Sequence, residues 1–130
     1  MERKRILLVD DSNTILMMEK FILNNGPYDL ITANNGEEAV KKATEHQPDL
    51  ILLDVIMPKM GGFEACRLIR NGESTRNIPI IMVTTRGEAA NVEAGWANGC
   101  TDYVTKPINS AELLAKVRSL LGDTVAEVAQ

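Results

Sequence analysis

Five short apolar runs recur along the chain at nearly regular intervals, and segments of helical composition separate them. The runs are rich in β-branched side chains and are bounded by turn residues, which is typical of buried strands. They cover residues 6–9, 30–33, 50–53, 80–83 and 103–104, and the helical segments cover about 13–24, 37–46, 62–71, 88–98 and 110–121. The pattern predicts five strands that alternate with five helices.

The apolar runs also indicate how the strands are arranged. A run that is apolar at almost every position is covered on both faces, since a solvated face would alternate polar with apolar residues. Alternating strands and helices then favour a parallel sheet between two helical layers. We predict an α/β fold: a doubly wound five-stranded parallel sheet in the order 2-1-3-4-5, a flavodoxin-like three-layer sandwich. The 130 residues suffice for one domain, assigned to 1–122, with 123–130 as a C-terminal tail.

The ends and the surface of the predicted helices carry further signals. Ser12 or Asn13 is expected to cap the first helix, and Ser110 the last, which Gly122 ends. Apolar residues at 15–18 and 21–23 cover a wider arc of the first helix than one sheet face can bury. Two explanations remain open: Leu16, Met17 or Phe21 packs on the last helix, or this face docks a partner.

Charge and cysteine content argue against several classes of function. The 14 basic and 18 acidic residues give a net charge of -4, whereas a domain that binds nucleic acid directly usually has a basic surplus. Cys66 and Cys100 lack a CxxC spacing, which favours buried free thiols over a disulfide framework or a zinc site. No apolar stretch approaches the ~20 residues of a membrane helix, and no signal-peptide pattern is present. We therefore expect a cytoplasmic protein without membrane insertion.

Polar side chains stand where the predicted strands end. Asp10 and Asp11 follow the first strand, Asp54 ends the third, Thr84 ends the fourth and Lys106 ends the fifth. The carboxyl ends of parallel strands share one edge of the sheet, where ligands bind at the point of strand-order reversal. Three carboxylates there repel one another unless some are protonated or a cation lies among them. The expected cation is hard and oxygen-seeking, Mg²⁺ or alternatively Mn²⁺.

The remaining two side chains extend this prediction to a reaction. A phosphoryl group added at this edge needs a cation for one oxygen and a hydroxyl for another, which Lys106 and Thr84 can supply. The set predicts phosphoryl transfer onto a carboxylate. Asp54 is the expected nucleophile because it is central, while Asp10 and Asp11 are paired as metal holders.

These residues together resemble a known family. Asp10-Asp11, the segment 53–62 (LDVIMPKMGG), Thr84 and the segment 103–107 (YVTKP) are similar to the receiver domain of two-component response regulators. The resemblance extends over residues of about 4–122, and the length is close to that of single-domain chemotaxis-type and twitching-motility regulators.

The resemblance implies roles for individual residues. Asp54 would accept a phosphoryl group from a phosphohistidine of a sensor histidine kinase or a histidine phosphotransfer protein. Asp11 and Asp54 would bind Mg²⁺ directly, Asp10 would act through water, and the backbone carbonyl of Ile56 would add a ligand. Lys106 would pair with the phosphate.

The resemblance also implies a switch and an output. Thr84 would move toward the new phosphate, and Tyr103 would turn into the space this opens. The readout face would comprise the segment 88–98, the fifth strand and the last helix. Trp96 and Val92 share a helix face that either makes core contacts or, with Tyr103, forms a patch on the readout face; we favour the patch, since tryptophan and tyrosine commonly anchor interfaces. The output would be binding to a downstream protein, with a phosphorylation-dependent dimer as one form, and the chain would not be an enzyme.

Two further positions bear on the lifetime of the phosphorylated form. In this family the residues two after the acceptor and two after the hydroxyl flank the path of the attacking water, and here they are Ile56 and Arg86. An apolar side chain at position 56 offers that water no hydrogen bond. We therefore predict slow self-dephosphorylation, over minutes or longer.

Other functions fit the sequence less well. A haloacid-dehalogenase-type phosphatase places its nucleophile after the first strand in a DxDx[T/V] pattern, whereas here the sequence reads Asp10-Asp11-Ser12-Asn13-Thr14. A flavodoxin-like cofactor binder needs a hydroxyl- and glycine-rich phosphate loop where the two aspartates stand. A receiver excised from a larger regulator is the third alternative. His46, the sole histidine, lies at a helix end and is not expected to be the phosphodonor.

Overall fold

The structure is a computed structural model, and it describes residues 3–85, 93 and 96–122. From residue 4 to residue 85, strands and helices alternate as predicted. Their order is β1 (Lys4–Val9), α1 (Asn13–Leu23), β2 (Tyr28–Ala33), α2 (Gly36–His46), β3 (Leu50–Asp54), α3 (Gly62–Asn71), β4 (Ile80–Thr85), β5 (Asp102–Lys106) and α4 (Ser110–Leu121). The helix predicted at 88–98 lies mostly outside the described residues, of which 93, 96 and 97 are helical.

The five strands form one parallel sheet in the order β2-β1-β3-β4-β5, which confirms the predicted topology. In the register, Val9 of β1 pairs with Leu53 of β3, and Asp54 pairs with Val83 of β4. Thr85 of β4 pairs with Lys106 of β5. This register brings the ends of β1, β3, β4 and β5 to one edge of the sheet.

Side chains alternate between two core layers along each strand. Leu8, Leu52 and Val104 pack with α1 and α4 on one face, and the residues next to them pack with α2 and α3 on the other. The period of two directs Asp54 and Lys106, each two residues further along its strand, toward the α1 and α4 face. The pleat therefore aims the lysine and the central carboxylate at the same side of the sheet.

Side-chain caps define the helix starts. Ser12 accepts a hydrogen bond from the Ile15 amide at 3.3 Å, so the predicted cap of α1 is confirmed. The predicted cap of α4 was wrong: Asn109 accepts a bond from the Glu112 amide at 2.9 Å, and Ser110 is already the first helical residue. Asn109 takes the role because its backbone is extended. Gly122 ends α4 in the left-handed conformation, as predicted.

Some of the apolar side chains of α1 lie in the core and others lie on the surface. Leu16 is buried in the layer that α4 also covers, whereas Met17 and Phe21 are 68% and 82% exposed. The two exposed side chains line a groove of about 390 Å³ together with Ile108, which precedes α4. Packing in the core therefore accounts for the apolar side chain of Leu16, whereas Met17 and Phe21 form an exposed apolar surface.

The two cysteines and the length of the helices also bear on predictions made from the sequence. Cys66 and Cys100 are free and buried, as predicted, and burial raises the pKa of both thiols, that of Cys100 to about 11. Within the described ranges, no helix has the length and apolar character needed to cross a membrane.

Candidate functional site

Three aspartates meet at the carboxyl edge of the sheet. One carboxylate oxygen from each of Asp10, Asp11 and Asp54 lies within 4.8 Å of the other two. Asp10 and Asp54 are buried, and Asp11 is exposed at the mouth of the cluster. Asp10 is fixed by its own turn, since Oδ1 accepts a hydrogen bond from the Ser12 amide at 2.9 Å. The structure thus brings together the three carboxylates that the sequence placed at two strand ends.

Lys106 joins this cluster from β5. Its Nζ lies 3.0 Å from Oδ1 of Asp54 and 3.3 Å from Oδ2 of Asp10. Burial disfavours the charged ammonium, but the hydrogen bond and the charge of Asp54, together with the charge of Asp10, outweigh it and raise the pKa of Lys106. One cation therefore serves two buried carboxylates and stays protonated at neutral pH.

The ionised form of Asp54 is disfavoured in spite of its ion pair with Lys106. Only 4% of the residue is exposed. Burial raises the pKa of Asp54 from 3.8 to about 6; the hydrogen bond from Lys106 opposes this shift and the charge of Asp10 adds to it. Asp54 is thus mostly ionised at neutral pH, but at a free-energy cost that an additional cation would relieve.

The donor set fits a divalent oxygen-seeking cation. Oδ2 of Asp10 has no hydrogen-bond partner among the described residues, although it lies 3.3 Å from the Lys106 ammonium. Magnesium binds oxygen ligands at about 2.1 Å, so opposite ligand atoms lie about 4.2 Å apart. A cluster within 4.8 Å is small enough for two direct carboxylate ligands, with the third acting through a bound water. The charge of the set, three carboxylates against one ammonium, has the sign that such an ion requires.

Thr84 contributes a buried hydroxyl without a partner. It stands on β4 one residue beyond Val83, the strand partner of Asp54, and its Oγ1 has no hydrogen-bond partner in the described part of the chain. Burying a hydroxyl unpaired is unfavourable, so each such group calls for an explanation. The pleat places Thr84 on the same sheet face as Met82, whose partner on β5 is Tyr103.

Tyr103 lies at the edge of a small aromatic cluster on that face. Its ring meets Trp96 edge-to-face with centroids 6.2 Å apart, and the Lys116 ammonium lies 4.9 Å from the Tyr103 centroid. Lys116 also donates a hydrogen bond to the Tyr103 carbonyl. The structure therefore brings together two members of the predicted patch, while Val92, the third member, and Arg86 lie outside the described residues.

The segment after β3 packs closely against the backbone of Asp54. A Cβ added at Gly62 would lie 2.1 Å from the Asp54 carbonyl oxygen, and the Gly62 amide donates to the Val55 carbonyl at 2.8 Å. Ile56, between them, is 66% exposed beside the site. Sequence reasoning quoted Gly62 as part of a motif but missed this contact, because the approach of two backbones is a tertiary feature.

Glu19 is the second residue that sequence reasoning missed. It is buried on the inward face of α1 with Leu16 and Leu23, although the helix around it is apolar. The signal was present in the spacing, since positions 16, 19 and 23 share one helix face. A carboxyl on a face formed otherwise by leucines indicates a buried ionisable group.

Most of the chain matches a family of known proteins. Residues 6–118 match the family described as response regulator receiver domain. The chain therefore belongs to the response regulator receiver domain family. The resemblance drawn from the sequence motifs is confirmed.

Curated relatives and solved structures support the same assignment. The chain is 42% identical over 118 residues to the alkaline phosphatase synthesis transcriptional regulatory protein PhoP of Bacillus subtilis, covering 91% of this chain and 48% of that protein. The chain thus spans about half the length of the curated relatives it matches.

Two solved structures share the fold over nearly their whole length. The chemotaxis protein CheY4 of Vibrio cholerae has a TM-score of 0.85 and 34% identity, covering 92% of this chain and 99% of that one. The receiver domain of a sensor histidine kinase from Pseudomonas aeruginosa has a TM-score of 0.86 and 30% identity, covering 93% and 99%. That structure has a magnesium ion coordinated in its active site cleft.

Proposed function

We propose that this chain is a phosphorylation-controlled switch in which Asp54 accepts a phosphoryl group from a phosphohistidine. A carboxylate oxygen of Asp54 attacks the phosphorus, a P–O bond forms, the P–N bond breaks and the imidazole of the donor leaves with a proton. The donor would be a sensor histidine kinase or a histidine phosphotransfer protein. The chain would take part in its own phosphorylation and dephosphorylation without acting as an enzyme on another substrate.

One observation carries this proposal: a buried strand-end carboxylate, paired with a lysine, lies within 4.8 Å of two further carboxylates. A structural ion pair needs one partner for Lys106, not a cluster of three acidic groups that repel one another. The excess of negative charge is explained if the site binds a cation and a phosphoryl group in its working state.

We propose Mg²⁺, or alternatively Mn²⁺, as that cation, held by Asp10, Asp11, Asp54 and the backbone carbonyl of Ile56. When bound, it would neutralise charge on the phosphoryl oxygens. The remaining contributions come from this chain. Lys106, now paired with Asp54, would move to a phosphoryl oxygen, and the hydroxyl of Thr84, which has no hydrogen-bond partner among the described residues, would donate to another.

The effect of phosphorylation would then be transmitted from Asp54 to the surface. Movement of Thr84 toward a phosphoryl oxygen would open space on the face that it shares with Tyr103, whose ring already contacts Trp96. A local charge change would thereby alter the surface formed by the segment 88–98, β5 and α4. A downstream protein, or a second copy in a phosphorylation-dependent dimer, would read this surface.

The exposed groove of α1 is the surface we assign to the phosphodonor. Ile108, which lines the groove with Met17 and Phe21, stands two residues after Lys106, so a protein docked there would lie next to the segment that carries Lys106. This assignment accounts for the exposed apolar side chains of α1, which packing leaves unexplained.

Some curated relatives are named as DNA-binding regulators. The surplus of acidic residues in this chain supports the proposal that the receiver itself acts through protein contacts rather than through nucleic acid. The family match favours a receiver over the phosphatase and the flavodoxin-like cofactor binder considered from the sequence. The proposed role is the same whether the receiver acts alone or within a longer regulator.

Intact-mass measurement tests the proposal. The protein is incubated with Mg²⁺ and acetyl phosphate or phosphoramidate, beside Asp54→Ala and the control Glu73→Gln, which changes an exposed carboxyl in the loop after α3. A phosphate-sized gain is expected in the wild type and in Glu73→Gln but not in Asp54→Ala. No gain in the wild type, or an equal gain in Asp54→Ala, would overturn the assignment.

A further inference from the structure

Glu19 is a buried carboxyl to which the proposed phosphoryl transfer assigns no role. It is 1% exposed, and its Oε1 has no hydrogen-bond partner among the described residues. The other two buried oxygens in this condition belong to Asp10 and Thr84, both of which lie at the carboxyl edge of the sheet. Burying a carboxyl oxygen without a hydrogen-bond partner is costly, which makes a purely structural role a poor explanation.

Glu19 lies on the buried face of α1, which packs against the sheet. Leu16 and Leu23, on the same face of α1, pack with Leu8 and Val104 in the layer between the sheet and helices α1 and α4. The pleat aims Asp54 and Lys106 at that same layer. The interaction of Glu19 with these groups is coulombic, acting across space and not through a hydrogen bond.

Glu19 carries its proton at neutral pH. Burial is the main reason that its pKa rises from 4.5 to about 8; the charges of Asp10 and Asp54 raise it further and that of Lys106 lowers it. These three groups, at the carboxyl ends of β1, β3 and β5, are the charged groups among the described residues that act on Glu19. Its ionisation is therefore sensitive to any change of charge in the cluster.

We propose that Glu19 is a fourth, proton-linked carboxyl of the site, which keeps its proton while the cluster is free of a divalent cation and releases it to solvent when the cation binds. The inference rests on the proposed function, because it needs a cation among the three aspartates. With Lys106, the aspartates sum to a charge of −2, which a divalent cation brings to zero. That change removes the repulsion from Asp10 and Asp54, which adds to burial in holding the proton on Glu19.

Because ionisation of Glu19 and cation binding are thermodynamically linked, their coupling can be measured either as proton release or as a change in cation affinity with pH. If cation binding favours the ionised form of Glu19, ionisation of Glu19 favours cation binding by the same factor. A fall of about one unit in the pKa of Glu19 on binding would release about half a proton near pH 7.5, and would strengthen binding about fivefold from about pH 7 to about pH 9. Asp54 contributes little above neutral pH, because its pKa is about 6.

Calorimetric titration with Mg²⁺ alone tests the inference in the intact chain. Titrations near pH 7.5 in two buffers of different ionisation enthalpy give the number of protons released per cation bound. We expect about half a proton in the wild type and in the control Glu73→Gln, and close to none in Glu19→Gln, which keeps the shape of the side chain without its proton. Circular dichroism establishes that each variant is folded.

The outcomes separate this inference from the proposed function. If the wild type binds Mg²⁺ and Asp11→Asn abolishes binding, but no proton is released, the role of Glu19 is refuted and the cation site stands. Proton release that persists in Glu19→Gln refutes it as well. If the wild type gives no heat of binding that depends on Asp11, the cation site itself fails. The wild-type proton count still decides the matter if Glu19→Gln does not fold.

Discussion

Replacing Asp54 by asparagine is expected to stabilise the protein without a divalent cation, even though it removes the proposed phosphoacceptor. The pKa of Asp54 is raised from 3.8 to about 6 in the folded protein, mainly by burial. The folded state therefore binds more protons than the unfolded state in this interval, and stability falls as the pH rises through it. Above about pH 6 the penalty is fully present, and asparagine, which stays neutral, relieves it.

The magnitude follows from the pKa values. Integrating from 3.8 to about 6 gives a penalty of about 3 kcal/mol near pH 7.5 and about 1 kcal/mol near pH 4.5. The substitution also weakens the bond from Lys106, which is 3.0 Å long, and this loss offsets part of the gain. The difference between the gains at the two pH values, about 2 kcal/mol, is less affected by such pH-independent losses.

Urea unfolding followed by circular dichroism, with EDTA present, measures the free energy of unfolding at both pH values. The wild type is compared with Asp54→Asn and with Glu73→Gln, in which an exposed carboxyl is lost. The control is expected to change stability by less than about 0.5 kcal/mol at either pH. Saturating Mg²⁺ is expected to stabilise the wild type more than Asp54→Asn, because one of the carboxylates that hold it has been removed.

Two results would refute the reasoning. If Asp54→Asn is less stable than the wild type near pH 7.5, Lys106 compensates the charge of Asp54 more fully than its pKa indicates. If the gain is the same near pH 4.5 as near pH 7.5, the effect of the substitution does not come from an ionised carboxylate.

Two substitutions in the segment after β3 test how it supports the site. Gly62→Ala is expected to lower stability by about 1–3 kcal/mol and to reduce phosphorylation of Asp54, since its Cβ would lie 2.1 Å from the Asp54 carbonyl oxygen. Gly61→Ala, whose Cβ would come no closer than 3.3 Å to another residue, is the control, and an equal loss of Tm in both variants contradicts the prediction. Ile56→Asn is expected to speed loss of the phosphoryl group about tenfold, about 1.4 kcal/mol in the barrier, by offering the attacking water a hydrogen bond. The protein is loaded with acetyl phosphate, the donor is removed and intact mass is followed; slower decay in Ile56→Asn contradicts this prediction.

The sequence alone predicted the parallel α/β architecture and the members of the acidic cluster, whereas pairing between strands settled the strand order. Strands that are apolar at every position have few ways to be covered, and a parallel sheet with helices on both faces then sets where their carboxyl ends lie. Asp10, Asp11, Asp54 and Lys106 were predicted together for this reason, and the structure brings their side chains into contact distance. Local chemistry was also predictable, as with Ser12 at the start of α1.

The sequence was less informative where two neighbouring residues could fill the same role. Asn109 and Ser110 both have side chains suited to a helix cap, and backbone conformation gave the role to Asn109. The apolar arc of α1 likewise left two explanations open. Only packing against the sheet and α4 showed that Leu16 is core and that Phe21 is surface.

Tertiary structure alone decided the state of the charged groups. The spacing of Glu19 with Leu16 and Leu23 indicates which helix face it shares, but whether its carboxyl is ionised depends on how α1 docks on the sheet. Burial and the field of Asp10 then raise the pKa of Glu19 to about 8, and one lysine is shared by Asp10 and Asp54. These effects depend on distances and desolvation between segments far apart in the chain, whereas the strand-end positions of the site residues depend on a pattern that is written locally.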